Sequence, residues 1–84
     1  MRIIKFGKSG CPPCQQVDIY LNRENIKYES IDTDTTDNFD LLIEHNIKTV
    51  PITLLLNKKG EVITKVVGFS EPSLQHLIND FTNG

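Results

Sequence analysis

Hydrophobic residues in the first third of the chain follow two different spacings. Residues 2–6 form a short, mostly apolar run of the kind found in a strand that is covered on both faces. From Pro12 onward the apolar positions have helical spacing, which predicts a first helix that ends near Asn25. Proline suits the start of that helix because its missing N–H would have no partner there. Residues 26–31 alternate and predict a second strand.

A second helix is predicted in the middle of the chain. Either Thr36 or Asp37 can cap its amino terminus with a side-chain oxygen. Phe39, Leu42 and Ile43 follow at the i, i+3, i+4 spacing of an apolar helix face. These three side chains are therefore expected to face the core.

The last third of the chain predicts a hairpin followed by a helix. Two β-rich runs, residues 51–56 and 61–67, are joined by the short polar link Asn57-Lys58-Lys59-Gly60, which favours antiparallel pairing. The apolar positions then return to helical spacing, with Ser70 or Glu71 as the cap. Aromatic residues at helical positions are expected in the core, namely Tyr20, Phe39 and Phe81.

The predicted element order is βαβαββα, which makes this an α/β chain. Strands separated by single helices favour right-handed parallel crossovers with helices on both faces of the sheet, and the hairpin adds an antiparallel pair. We therefore expect a four-stranded mixed sheet flanked by three helices. With 84 residues there is room for one core, so residues 1–84 are predicted to form a single domain.

Charge and hydropathy narrow the function classes. The net charge is −2, with charges of both signs interspersed, so the chain lacks the basic stripe that nucleic-acid binding usually needs. Its first residues lack the uninterrupted apolar stretch of a secretory signal. No segment reaches the roughly 20 apolar residues of a membrane span. We expect a soluble cytoplasmic protein with no nucleic-acid and no membrane partner.

The candidate chemistry lies in Cys11-Pro12-Pro13-Cys14, at the predicted junction of the first strand and helix. Unsatisfied backbone N–H groups and the helix dipole favour a thiolate there, and C-x-x-C in this context is typical of a redox dithiol. Cys11, at the helix start, is expected to be the nucleophile. Cys14, one turn in, can resolve the mixed disulfide in an intramolecular step. Lys8, and Lys5 with it, would add positive charge that favours the thiolate.

The cysteine pair has two other interpretations, a zinc site and a structural bridge. A zinc site needs two more ligands, but His45 and His76 stand alone without paired spacing and are expected to be structural or neutral. A structural bridge would fit a non-catalytic binding module. A disulfide that closes so short a loop constrains the unfolded chain little, which argues against that role. We expect no metal and no cofactor other than a redox-active Cys11–Cys14 disulfide.

The chain resembles the thioredoxin and glutaredoxin superfamily. The motifs that carry the resemblance are the C-x-x-C at a strand-to-helix junction, Thr49-Val50-Pro51 at the start of the third strand and Gly68 after the fourth. Nearly the whole chain is covered, and the resemblance implies a thioredoxin-like fold. It also implies that Pro51 is a cis-proline facing the disulfide, and that Lys8 corresponds to the glutaredoxin lysine that meets the glutathione carboxylate.

Four positions depart from the two families. Thioredoxins carry a buried aspartate six residues before the first cysteine, where this chain has Lys5, and a tryptophan before the motif, where it has Gly10. Glutaredoxins usually have an aromatic residue at the third motif position, here Pro13, and a Gly-Gly pair before the last helix, here Gly68-Phe69. The usual proton relay of thioredoxins is therefore missing.

The resemblance implies a monomeric thiol-disulfide oxidoreductase of the small thioredoxin type that reduces disulfides in protein substrates. Either a thioredoxin reductase or glutathione would regenerate it. The alternatives are a glutathione-dependent glutaredoxin and a non-catalytic thioredoxin-like binding module. Besides Cys11 and Cys14, the expected substrate-binding residues are Lys8, Pro12, Pro13, Val50, Pro51, Gly68 and Phe69.

Overall fold

The computed structural model describes residues 1–35, 37 and 39–84. The predicted element order is confirmed, although the second strand begins later than predicted, at Glu29. The elements are β1 (Arg2–Gly7), α1 (Pro12–Arg23), β2 (Glu29–Asp32), α2 (Phe39–Glu44), β3 (Ile52–Leu56), β4 (Val62–Val67) and α3 (Glu71–Asn83).

The four strands form one mixed sheet in the order β2-β1-β3-β4. β1 pairs in parallel with β2 and antiparallel with β3, and β3 pairs antiparallel with β4 in the predicted hairpin. β1 and β3 are the central strands, and their residues are buried almost throughout. The predicted four-stranded mixed sheet with three helices is therefore confirmed.

One predicted connection is wrong. A parallel crossover was expected between the second and third strands, but β2 is parallel to β1 while β3 is antiparallel to it. The physical reason is the length of α2. Its six residues rise about 9 Å, which is shorter than the roughly 16 Å of a five-residue strand, so the helix does not carry the chain back along a full strand.

Helices cover both faces of the sheet. α1 and α3 pack on one face around a cluster that includes Ile3 and Leu55, and α2 packs on the other face beside Ile4 and Phe6. Because strand side chains alternate, Lys5 shares the face of Ile3 and points toward α1. The first cluster comprises Ile3, Val17, Tyr20, Leu21, Leu55, Val66, Leu74, Leu77 and Ile78, with Phe81 packed against it. Tyr20 and Phe81 thus lie in the core as predicted.

The predicted apolar face of α2 is confirmed at Leu42 but wrong at the other two positions. Phe39 and Ile43 are 63% and 77% exposed. Leu41 packs against the sheet together with Leu42, and the His45 ring lies 6.2 Å from the Phe6 ring. Leu41 and His45 are separated by one helical turn, so a histidine that was counted as polar completes the buried face.

Two helices have an amino-terminal cap whose side chain accepts a backbone hydrogen bond, α1 and α3. Of the two residues proposed for the last helix, Ser70 is the cap, and its hydroxyl accepts the backbone N–H of Ser73 at 3.4 Å. Of those proposed for the second, Thr36 lies outside the described residues, and Asp37 is separated from the helix start by one residue. The cap of α1 is Cys11.

Candidate active site

Cys11 and Cys14 lie where the chain leaves β1 and enters α1. Their sulfurs are joined in a disulfide, with the Cα atoms 5.3 Å apart. Pro12 and Pro13 occupy the first two helical positions and are both exposed. A backbone N–H at these positions would have no partner within the helix, so proline loses no hydrogen bond there. The two cysteines are paired at the C-x-x-C spacing, as the predicted redox-active disulfide requires.

The two sulfurs differ in their surroundings. Cys11 caps the helix, and its Sγ accepts a hydrogen bond from the backbone N–H of Cys14 at 3.2 Å. Cys11 is 7% exposed, whereas Cys14 is 1% exposed and lies one turn inside the helix. Because an N–H at a helix amino terminus stabilises a negative charge, this arrangement favours a thiolate at Cys11 once the disulfide is reduced.

Pro51 and Gly68 are joined by a backbone hydrogen bond. The Val50–Pro51 peptide bond is cis, and the Pro51 side chain is fully buried. Gly68 N–H donates to the Pro51 carbonyl at 2.9 Å, and Gly68 has a φ of 74°, which an L side chain rarely adopts. Phe69 is partly buried against Tyr20, with ring centroids 6.5 Å apart. Phe69 therefore packs on α1 rather than standing free in solvent.

A cavity of about 180 Å³ brings Lys8 together with Val50. A second lysine, Lys48, and one carboxylate, Asp34, also line it. The sequence analysis singled out Lys8 and Val50 but missed Lys48, which immediately precedes the Thr49-Val50-Pro51 motif. The remaining residues of its lining are Thr33, Leu42, Ile47 and Thr49.

Beside the dithiol lies a partly buried polar network, of which only Lys5 was a candidate from the sequence. Lys5 Nζ donates to Asp18 at 2.9 Å, and the Tyr28 hydroxyl donates to the other oxygen of Asp18 at 2.7 Å. Burial, followed by the bond to Asp18, raises the pKa of Tyr28 to about 12. The available signal was the i, i+4 spacing of Cys14 and Asp18, which places both on one face of α1.

The two histidines stand apart from this site. His45 packs against Phe6, and His76 is exposed, with its Nε2 3.4 Å from Asp80. Among residues 1–35, 37 and 39–84, no three His, Cys, Asp or Glu side chains are grouped so that they could hold a metal ion. None of the helices in that part of the chain is long and apolar enough to cross a membrane.

Comparisons with known proteins agree with this arrangement. The family model for glutaredoxin matches residues 3–59, more than half of the chain. The chain belongs to the glutaredoxin family. This membership confirms the predicted resemblance to the thioredoxin and glutaredoxin superfamily. The SPbeta prophage-derived thioredoxin-like protein YosR of Bacillus subtilis (strain 168) is 34% identical to this glutaredoxin-family protein over 80 residues, which cover 95% of this chain and 98% of YosR.

Solved structures share the thioredoxin-like fold. The thioredoxin-like protein BC3987 is 29% identical, with a TM-score of 0.71, and the match covers 90% of this chain and 99% of that one. Thioredoxin 1 from the thermophilic eubacterium Thermosipho africanus is 22% identical, with a TM-score of 0.73 and coverage of 99% and 96%. The second likeness concerns the fold alone. The glutaredoxin-family protein is therefore a thioredoxin-like redox protein whose two cysteines are paired.

Proposed function

We propose that this protein is a thiol-disulfide oxidoreductase that reduces disulfides in protein substrates, working as a monomer and without a bound cofactor. The observation that carries the proposal is the position of Cys11 as the cap of α1, with its sulfur 3.2 Å from the backbone nitrogen of Cys14. A thiolate is the attacking species in disulfide exchange, and this position stabilises one.

The reaction proceeds in two displacements. The Cys11 thiolate attacks one sulfur of a substrate disulfide, so that a Cys11–substrate bond forms and the other substrate sulfur leaves as a thiolate. The Cys14 thiolate then attacks Cys11 Sγ, which forms the Cys11–Cys14 disulfide and releases the second substrate sulfur. Each leaving thiolate takes up a proton. The substrate has gained two electrons, and an external dithiol or glutathione must return the enzyme to its reduced form.

An extended substrate segment would lie between the dithiol and the Pro51–Gly68 pair. The Pro51 carbonyl already accepts the Gly68 N–H, and Val50 immediately precedes Pro51 in the chain. Val50 is partly exposed, as are Gly68 and Phe69. Backbone pairing with an extended peptide gives affinity without demanding a particular side chain. Such binding suits an enzyme that must accept disulfides in different proteins.

A glutathione-dependent glutaredoxin is the second candidate. The supporting observation is the cavity of about 180 Å³ in which Lys8 and Lys48 accompany Val50. Two ammonium groups could each pair with one of the carboxylates of glutathione. Asp34 lines the same cavity and would oppose an anion. We therefore keep reduction by a thioredoxin reductase as the main proposal.

A coupled assay separates the two candidates. Insulin reduction is followed through NADPH oxidation, with either thioredoxin reductase or glutathione and glutathione reductase as the donor system. We expect turnover with the first system and abolition of turnover by Cys11→Ser. In the second system, Lys8→Ala should raise the glutathione KM if the cavity binds glutathione, whereas Lys59→Ala, in the hairpin turn, should not. Full insulin reduction by Cys11→Ser would contradict the proposal.

A further inference from the structure

We propose that the buried Lys5 is a positioning residue for the second displacement, in which its ammonium group stabilises the thiolate of Cys14. The inference rests on the proposed dithiol chemistry and adds a role to a residue outside the motif. Lys5 lies on β1, and Cys14 lies on α1, which packs on the same face of the sheet.

Gly7 brings the two groups together. A methyl group on the Cα of Gly7 would lie 2.7 Å from Lys5 Nζ and 3.4 Å from Cys14 Cβ. The ammonium group and the base of the Cys14 side chain therefore face each other across the hydrogen of a glycine. Any larger residue at position 7 would occupy the space that the lysine uses.

The burial of Lys5 has a cost that packing does not explain. Its side chain is 5% exposed, and it has one partner in the part of the chain that the structure describes, Asp18, whose side chain is 36% exposed. Taking an ammonium group out of water is unfavourable, and an apolar side chain of similar volume is often as stable in its place. The retained charge therefore points to a use for it.

A second polar group is buried beside Lys5. Within residues 1–35, 37 and 39–84, two polar or charged residues are buried, Lys5 and Thr53, and they are direct partners across β1 and β3. The Thr53 hydroxyl has no hydrogen-bond partner there. Cross-strand partners lie on the same face of the sheet, and a hydroxyl oxygen can accept a hydrogen bond from an ammonium group.

The charge acts on the step that releases the substrate. Cys14 must lose its proton to solvent before it attacks Cys11 Sγ, and its sulfur is almost fully buried, which disfavours the thiolate. A cation in the same low-dielectric layer offsets that penalty. Three charged or titratable side chains form a network beside Cys14, in which Lys5 from β1 donates to Asp18 from α1, and Tyr28 from the segment before β2 donates to the same carboxylate. Asp18, held by Lys5 and Tyr28, fixes the ammonium in place.

The test separates the two displacements in time. The reduced protein is mixed rapidly with an aromatic disulfide that releases a coloured thiolate, once when Cys11 attacks and again when Cys14 displaces the bound half. Lys5→Met should leave the first release within about twofold but slow the second about tenfold near neutral pH. It should also raise the pH midpoint of the second release by about one unit, since one pKa unit corresponds to a tenfold change in equilibrium. Lys65→Met makes the same change in net charge at an exposed position of β4. It should leave the rates of both releases unchanged.

Gly7→Ala is the companion variant because it keeps the lysine and displaces only its flexible end. It should slow the second release in the same way, and it decides the question if Lys5→Met does not fold. A second release with unchanged rate and midpoint would overturn the role of Lys5. An equal slowing of both releases without a shift in midpoint would also overturn it. A wild-type protein that releases no thiolate at all would instead contradict the proposed function.

Discussion

The sulfur of Cys11 accepts a hydrogen bond from the backbone N–H of Cys14 at 3.2 Å. In the proposed mechanism, the residue that resolves the mixed disulfide thus also supplies, through its backbone, a donor that stabilises the nucleophile. Among the residues that the structure describes, no backbone N–H donates to the Cys14 sulfur, and Cys14 lies deeper, at 1% exposure. The proposed mechanism therefore gives the two cysteines different tasks, although they are three residues apart.

This asymmetry predicts that the pKa of the Cys11 thiol is lowered below the value of about 8.5 of a free cysteine. The cause is the helix amino terminus with its N–H donor. The rate of alkylation by iodoacetamide against pH, measured on Cys14→Ser so that one thiol reacts, gives the value. The same variant unfolded in denaturant is the control and should titrate normally. A folded midpoint at or above the unfolded one would contradict the prediction.

Tyr28 should ionise only at strongly alkaline pH. Its folded-state pKa, about 12, exceeds the ordinary value of 10.0 because the phenol is buried and donates to Asp18. The stability that this contributes is full below pH 10 and is lost as the pH rises through 12. Tyrosinate absorbance of the wild type and of Tyr28→Phe gives the pKa by difference. Asp18→Asn should lower it toward 10, and an unshifted Tyr28 in the wild type would refute the network.

The pair between Arg2 and Glu29 predicts acid sensitivity at the β1–β2 edge. Arg2 donates two hydrogen bonds to the Glu29 carboxylate, at 2.6 and 2.7 Å, and these bonds lower the pKa of Glu29 from its ordinary value of 4.5. The stability is therefore full above pH 4.5 and is lost as the pH falls through the folded-state value. Because both side chains are about half exposed, Glu29→Gln should cost only about 0.2–1 kcal/mol at neutral pH.

Denaturant unfolding at two pH values checks that expectation. The difference in the free energy of unfolding between wild type and Glu29→Gln should shrink when the pH falls below about 4, since protonation removes the same charge. If the difference in the free energy of unfolding grew as the pH fell, the ion pair would not be what stabilises the wild type, and the prediction would be contradicted. Glu61→Gln removes the same charge in the hairpin turn, away from the β1–β2 edge, and serves as the control.

Leu74 and Ile43 test where the core lies. Leu74 is fully buried in the cluster between α1, α3 and the sheet, whereas Ile43 is 77% exposed on α2. Leu74→Ala should destabilise the protein by about 2–5 kcal/mol, and Ile43→Ala, at a surface position, by about 0.5 kcal/mol or less. Urea unfolding gives both values. If both substitutions lowered the free energy of unfolding equally, Ile43 would have to be buried, as the sequence pattern predicted for α2.

The sequence alone predicted the element order and the dithiol because each depends on local signals. Apolar spacing defines α1 and α3, and the short polar link after β3 defines the hairpin. The Cys11–Cys14 spacing combines with the helix start that Pro12 marks. These features involve residues that are close along the chain, so a single sequence carries them.

Features that depend on contacts between distant residues were not predictable. The direction of β3 follows from its pairing with β1, and the buried face of α2 depends on His45 meeting Phe6. The ion pair of Lys5 with Asp18 forms only when α1 packs on the sheet. The sequence showed a lysine at position 5 but not the glycine-lined space that admits its ammonium group.

Trapping of the mixed disulfide tests the central claim most directly. Reduced Cys14→Ser and Cys11→Ser are each mixed with a disulfide-bonded protein such as insulin, and covalent adducts are measured by mass spectrometry. Cys14→Ser should accumulate one stable adduct through Cys11, because nothing resolves it, while Cys11→Ser should form little because its remaining thiol is almost fully buried. Equal or greater trapping by Cys11→Ser would contradict the account.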